Sequence, residues 1–270
     1  LYILPSLVLI LVFSVVPILM SLYFSFTKYN VLQPPQWTGL DNYIRLFRDP
    51  YVRASLKNTV VFTVITVPLQ TAGSLVLAAV IAELFHNKFG NFVKSSLFVP
   101  VIAWFTLLSP RGVVNSIIHA FGLPSVNWLG GKLTSMLSVC IVSVWKNVGY
   151  FLVIYFAGIM DIPRSLYEAA EVDGANAFQR FFKITLPGLS SVTFLVVTLG
   201  TIWSFQVFDL VYTMTGGGPG TSTVTLVLTT YNAAFKEYNM GYASAVAMLM
   251  FVFVLAVSGL QKLLLKGGED

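Results

Sequence analysis

Long apolar stretches recur along the chain at Leu1 to Phe26, Asn58 to Phe85, Ser95 to Leu108, Leu133 to Met160, Gly188 to Tyr212 and Met240 to Leu265, with short polar segments between them. A helix needs about 20 predominantly apolar residues to cross the hydrocarbon layer, and lipid leaves its backbone N–H and C=O groups no partner outside the segment. The pattern therefore predicts an all-α protein, a polytopic bundle of six transmembrane helices in a single domain over residues 1–270, with both termini on one side. Ser95 to Leu108 is short for a crossing: either that helix is truncated or residues are absent there. Pro5, Pro17, Pro68 and Pro100 fall inside or near the ends of these stretches, where each removes a backbone donor and is expected to kink its helix. The chain opens on Leu1 without a Met, and a charged leader is expected before it.

Composition agrees with a membrane protein. Apolar residues make up 56% of the chain and charged ones 10%, against about 45–50% and about 25% in soluble domains. A net charge of +5 could suggest nucleic acid, but the basic residues are scattered among loops without a dense run, which excludes that partner. Lys and Arg do not set the orientation either. Lys88, Lys94, Arg164, Arg180, Lys183, Lys262 and Lys266 fall on one side of the six-span arrangement; Lys28, Arg45, Arg48, Arg53, Lys57, Arg111, Lys132 and Lys236 fall on the other. Cys140 is the single cysteine and cannot form an internal disulfide.

Residues 163–187 form a charged amphipathic island between two apolar stretches. Ser165-Leu-Tyr-Glu168 fits a capping box at the start of a helix, with Pro163 at the approach. The helix runs through Ala169, Ala170 and Val172, and Gly174 after Asp173 supplies a stop from which a second short helix can turn away. Leu166, Tyr167, Ala170, Phe178, Phe181 and Phe182 give the resulting knob an apolar surface that a polar environment would expose unless a partner covered it. An amphipathic connector lying on the headgroups, with Glu168 acting only as a cap, is the plainer alternative.

Glu168-Ala169-Ala170, Asp173-Gly174-Ala175 and Ile184-Thr185-Leu186-Pro187, at this spacing, resemble the "EAA" coupling loop of permease subunits in bacterial binding-protein-dependent ABC sugar importers. The resemblance extends to Gly39-Leu40-Asp41-Asn42-Tyr43, Asp49-Pro50, Asn58-Thr59, the Phe208 to Pro219 segment and Gly241-Tyr242-Ala243-Ser244-Ala245, and so covers nearly the whole chain. It implies a type I importer permease fold in the bacterial inner membrane, with both termini and the 161–187 loop in the cytoplasm. Glu168, Ala169, Ala170, Asp173, Gly174, Leu186 and Pro187 would couple to the ATPase. The implied partners are a second homologous permease, two ATP-binding subunits that carry ATP and Mg, and an extracytoplasmic sugar-binding protein. This chain would hold no cofactor and perform no chemistry.

Polar groups at membrane depth are costly and mark a transport path. Ser143, Lys146, Asn147 and Tyr150 recur at helical spacing in the fourth span, as do Gly200, Trp203, Ser204 and Val207 in the fifth. Hydroxyl-bonding and aromatic side chains of this kind suit a sugar, and in the maltose-type permeases that the chain resembles the equivalent faces hold it. Lys146 would favour an acidic or strongly hydroxylated sugar, or snorkel to the headgroups. Gln206 and Asp209 are second-tier candidates. Gly216, Gly217, Gly218 and Pro219 form a turn expected to touch the binding protein; no Gly-Lys-Ser/Thr follows, so it is not a nucleotide loop. His86 and His119 stand apart from any metal-spaced cluster. A secondary, ion-gradient-driven carrier is the first alternative, disfavoured by the lack of an intramembrane carboxylate relay; a membrane-embedded enzyme is the second and lacks a clustered catalytic set.

Overall fold

The computed structural model describes residues 3–84 and 101–265. Leu1, Phe85, His86, Lys88, Lys94, Lys266 and the first part of the expected third span, Ser95 to Pro100, lie outside the described residues. Four described helices are long and apolar enough to cross a membrane: Leu4–Ser25, Pro50–Glu83, Lys132–Asp161 and Met240–Leu264. A fifth candidate is the pair Ala177–Gly188 and Ser190–Phe205, which meet at 69°. Of the third span, Val101–Leu107 is described and is helical.

The expected prolines divide by position. Pro5 sits in the first turn of its helix, where its missing N–H costs nothing and no kink is needed. Pro17 follows a π-turn at Leu11–Val15, and Pro187 follows another at Phe181–Thr185, whose Leu186 N–H reaches back to the Phe181 carbonyl. A π-turn takes up the carbonyl mismatch that a proline creates within a helix. Pro68 lies inside the continuous Pro50–Leu84 helix.

The chain forms two compact units. The first comprises Leu1–Val60 and Phe205–Val257. Its Leu4–Ser25 helix has only Ser25 buried, as expected of a lipid-facing element, and is followed by a short hairpin pairing Thr27 with Trp37. Leu46, Val52, Leu226, Ala233, Tyr242 and Val246 belong to its core. Polar side chains staple its segments together. The Asn42 amide donates to the carbonyls of Ser25 and Thr27, both at 2.9 Å, and the Tyr242 hydroxyl donates to Asp49 at 2.6 Å. The Asn58 amide donates to the carbonyls of Thr221 at 2.7 Å and Val224 at 3.0 Å, and the Leu226 N–H donates to the Thr59 hydroxyl at 3.2 Å. Asn42, Asp49, Asn58, Thr59 and Tyr242 come from the motifs that had carried the resemblance.

The second unit comprises Val61–Ser204 and Ser258–Asp270. Its core is built from Leu75, Ala78, Phe151, Leu152, Tyr155 and Leu189 among others. Gly158 permits a close crossing, since a Cβ there would lie 2.8 Å from Val192 and 2.9 Å from Leu189. Gln261 of the last helix donates to the Thr201 hydroxyl at 2.7 Å.

Candidate functional site

Two arrangements in the second unit carry most of the candidate functional residues. The first is a polar and aromatic layer. The Asn147 amide donates to the Gln70 side-chain carbonyl at 2.8 Å, and Gln70 is fully buried with its Nε2 unpartnered. That amide group lies across Gly200, where a Cβ would come within 2.3 Å of Nε2. Gly200 is therefore small to make room for Gln70. Nearby on the same pair of helices, the hydroxyls of Ser204 and Thr66 lie 3.1 Å apart. Trp203 stacks on Phe151 with ring centres 5.4 Å apart and meets Tyr150 at 5.0 Å.

The structure thus joins Asn147, Tyr150, Gly200, Trp203 and Ser204 and adds Gln70 and Thr66 to them. Ser143 is buried and Lys146 exposed on the same Lys132–Asp161 helix. Val207 does not continue the Gly200, Trp203, Ser204 face, because the helix ends at Phe205 rather than running to Tyr212. Phe208 leaves helical conformation at φ −133°, ψ −60° before a new helix at Asp209–Met214. Val207, in the first unit, has its carbonyl taken by the Thr225 hydroxyl at 3.1 Å. Gln206 and Asp209 are both exposed.

A buried amide stripped of its partner costs about 1–3 kcal/mol. Gln70 is wholly buried whereas Asn147 is only partly so, so the two truncations are unequal. Asn147→Leu, which strands the entire Gln70 amide, is expected to cost about 2 kcal/mol. Gln70→Leu should cost about half as much, and the double variant should resemble it. Apparent melting in detergent checks this; a milder Asn147→Leu would contradict the arrangement.

The second arrangement is the loop. Its first helix is Arg164–Val172, with Pro163 at the N-cap position and no side-chain cap. The Ser165–Glu168 capping box does not form. Proline fixes the chain so that the helix starts one residue ahead of Ser165, and Glu168 instead pairs with Arg164 at 3.3 Å, both side chains largely exposed. The reciprocal box lies in the second helix, between Asn176 and Gln179. Gly174 closes the first helix at φ +75°: its N–H bonds the Glu171 carbonyl at 3.0 Å, and Ala175 N–H reaches the Ala170 carbonyl at 2.8 Å. This is a Schellman turn, which favours glycine for its left-handed backbone. Tyr167 is turned inward, its hydroxyl 2.9 Å from that of Thr185, and Phe181 and Leu186 pack against the core. Leu166, Val172, Phe178 and Phe182 stay exposed, Val172 at 88%. Arg180 pairs with Glu83 at 2.8 Å and with Glu171. A cavity of about 370 Å³ lies beneath the loop, lined among others by Ala79, Glu83, Ile159, Tyr167 and Arg180.

In the first unit, Gly216, Gly217 and Gly220 all have left-handed backbones. Gly216 and Gly220 are exposed, but Gly217 is buried, and a Cβ there would lie 2.8 Å from Val224 and 2.9 Å from Leu228. The Thr223 hydroxyl donates to the Gly218 carbonyl at 2.9 Å, so the turn is braced from within. Among the described residues no group of three or more His, Cys, Asp or Glu side chains is placed to hold a metal ion, and His119 contacts Ser125.

A family model described as the binding-protein-dependent transport system inner membrane component matches residues 1–267. A probable ABC transporter permease protein, YurN of Bacillus subtilis (strain 168), is 36% identical over 100% of this chain and 96% of its own length. The sulfoquinovosyl glycerol transport system permease SmoG of Agrobacterium fabrum is 34% identical over 94% of this chain and 85% of its own. The trehalose/maltose permease MalF of Thermococcus litoralis is 34% identical over 95% of this chain and 89% of its own. Among solved structures, a chain of a bacterial ABC transporter that imports the acidic polysaccharide alginate superposes with a TM-score of 0.86, covering 100% of this chain and 95% of that one at 23% identity. The likeness to the alginate transporter shows the fold.

Proposed function

Since the chain belongs to the family of inner membrane components of binding-protein-dependent transport systems, we propose that it is one permease half of an ATP-driven importer of sugars or oligosaccharides. The observation that carries this reading is the two-helix loop from Arg164 to Gly188, which presents Glu168 and the apolar Leu166, Val172, Phe178 and Phe182 outward. Such a patch in a polar environment calls for a partner. The partner proposed is an ATP-binding subunit, two of which carry ATP and Mg, docking on Glu168, Ala169, Ala170, Asp173 and Gly174, while Leu186 and Pro187 root the loop in the bundle. A second homologous permease completes the path, and the loop and both termini lie in the cytoplasm.

The solute meets Ser143, Lys146, Asn147, Tyr150, Gly200, Trp203 and Ser204 in this unit. Tyr150 and Trp203 offer apolar ring faces to sugar C–H groups, and Asn147 offers hydroxyl hydrogen bonds. Gly216, Gly218 and Pro219 meet the extracytoplasmic binding protein, with Gly217 holding their turn in shape. ATP-driven closure of the partner subunits moves the loop, and the bundle rocks to turn the path from one side of the membrane to the other. The names of two relatives, SmoG and MalF, support a carbohydrate solute.

The test is purification from native membranes in mild detergent, identification of co-purifying chains by mass spectrometry, and assay of ATP hydrolysis with sugar-loaded binding protein. An ATPase and a second permease, with hydrolysis stimulated several-fold, are the expected result. A lone chain that takes up solute on an ion gradient would replace this reading with the secondary carrier.

A further inference from the structure

Arg180 occupies a position that the coupling motif does not assign. It is on the second loop helix, its side chain is only 21% exposed, and its guanidinium serves two carboxylates at once: Glu83, 2.8 Å away near the end of the Pro50–Leu84 helix, and Glu171 in the last turn of the Arg164–Val172 helix. A planar fork with five donors can hold two carboxylates in fixed directions, which a lysine ammonium cannot do. Three helices meet at one side chain.

The loop rests on the bundle through unlike contacts. Phe181 and Leu186 pack against the core, and Tyr167 bonds Thr185. The cavity beneath the loop is bordered by Tyr167, Phe181 and Thr185 and also by Glu83, Glu171 and Arg180. There the ion cluster spans a gap that side chains do not fill. The helix reached through Glu83 also carries Gln70 and Thr66, the residues that contact Asn147 and Ser204. Glu83 and Gln70 are about 20 Å apart along one continuous helix, at 1.5 Å rise per residue.

We infer that Arg180 is a positioning residue for coupling: it clips the Arg164–Val172 helix to the Pro50–Leu84 helix, so that displacement of the loop is delivered to the polar layer on the solute path. This rests on the importer reading above. Removing the guanidinium does more than cut the tie, since it leaves Glu83 and Glu171 facing each other with like charge. Arg180→Gln should therefore loosen the loop more than Glu83→Gln or Glu171→Gln, each of which leaves one ion pair in place. Arg180→Lys should fall between.

The experiment uses the whole co-purified complex, with Cys140→Ala as background and spin labels at Val172→Cys on the loop and Val64→Cys on the long helix, both exposed positions. Distances are measured by pulsed electron resonance without nucleotide and with Mg-ATP trapped by vanadate. With Arg180 present, one narrow distance is expected in both states, because loop and helix move together. Arg180→Gln should broaden the distribution at least twofold and shift it on trapping, while the retained ATPase subunits still hydrolyse ATP. Loss of mere fold stability would not produce a nucleotide-dependent shift. An Arg180→Gln distribution equal to the parent's in both states would overturn the clip. A parent complex without ATPase subunits would overturn the importer reading, and the coupling role with it.

Discussion

Gly241→Ala is expected to remove most of the protein from the membrane fraction and to lower the melting of what remains by roughly 10 °C. A Cβ at this position would lie 2.0 Å from the Thr27 carbonyl oxygen and 3.1 Å from its carbon. The obstacle is backbone, which cannot rotate away as a side chain can. The backbone on both sides is also tied down: the Gly241 N–H donates to the Tyr29 carbonyl at 3.2 Å, and the Thr27 carbonyl accepts from Asn42 at 2.9 Å. The next residue, Tyr242, is itself held by Asp49 and lies under the Arg45 guanidinium, 4.1 Å from the ring centre. Moving either segment breaks several of these contacts together, so the cost should exceed about 3 kcal/mol, well beyond ordinary overpacking. At this chain size each kcal/mol shifts melting by about 2–4 °C. Gly259, on the same helix, is the control: a Cβ there meets nothing within 4 Å, and Gly259→Ala should stay within about 1 kcal/mol of the parent. Parent-like melting of Gly241→Ala would mean that the helix start does not lie against the Thr27 backbone.

This staple explains what could be read in the sequence and what could not. The four spans at Leu4–Ser25, Pro50–Glu83, Lys132–Asp161 and Met240–Leu264 were legible because lipid imposes a length and an apolar composition on each of them. The loop was legible through Gly174, the residue type that a left-handed helix stop requires. The motifs at Asn42, Asp49, Asn58 and Tyr242 were visible as words, but their physical role was not, because each makes its bond outside its own motif: Asn42 to Ser25 and Thr27, and, far along the chain, Asn58 to Thr221 and Val224 and Tyr242 to Asp49. Gln70 was missed for the same reason. A single amide in a long apolar helix has no periodicity, and its partner Asn147 is 77 residues away. The capping box was a competition between two segments of similar form. Ser165 to Glu168 has the better sequence, but Pro163 sets the helix start too early for it, and Asn176 to Gln179 makes the box instead. Val207 was placed on a helix face by counting, and the count failed where the chain leaves the helix after Phe205.

Glu168→Lys is the variant expected to separate coupling from folding. Glu168 makes one ion pair, with Arg164 at the i, i+4 spacing, and the side chains are 91% and 65% exposed for Arg164 and Glu168. Exposed pairs of this kind contribute about 0.3–0.5 kcal/mol, and a like-charge pair in the same place costs a similar amount. The variant should therefore insert and melt as the parent does, within roughly 3 °C. Its effect lies in the proposed ATPase contact, where a reversed charge must be desolvated against a surface shaped for a carboxylate, a change that costs 2–5 kcal/mol or more in measured interfaces. With 1.4 kcal/mol per factor of ten, ATP-driven uptake should fall at least tenfold, with ATPase subunits lost from the purified complex in proportion. Gly174→Val serves as the structural counterpart: the space around Gly174 is open, so its cost is the left-handed backbone at φ +75°, which tilts the first loop helix while leaving Glu168 intact. If the loop is the docking surface, both variants lose uptake while only Gly174→Val disturbs the loop's own helical order. Parent-like uptake by Glu168→Lys would place the contact elsewhere on the loop, with Leu166, Val172, Phe178 and Phe182 as the surface to test next.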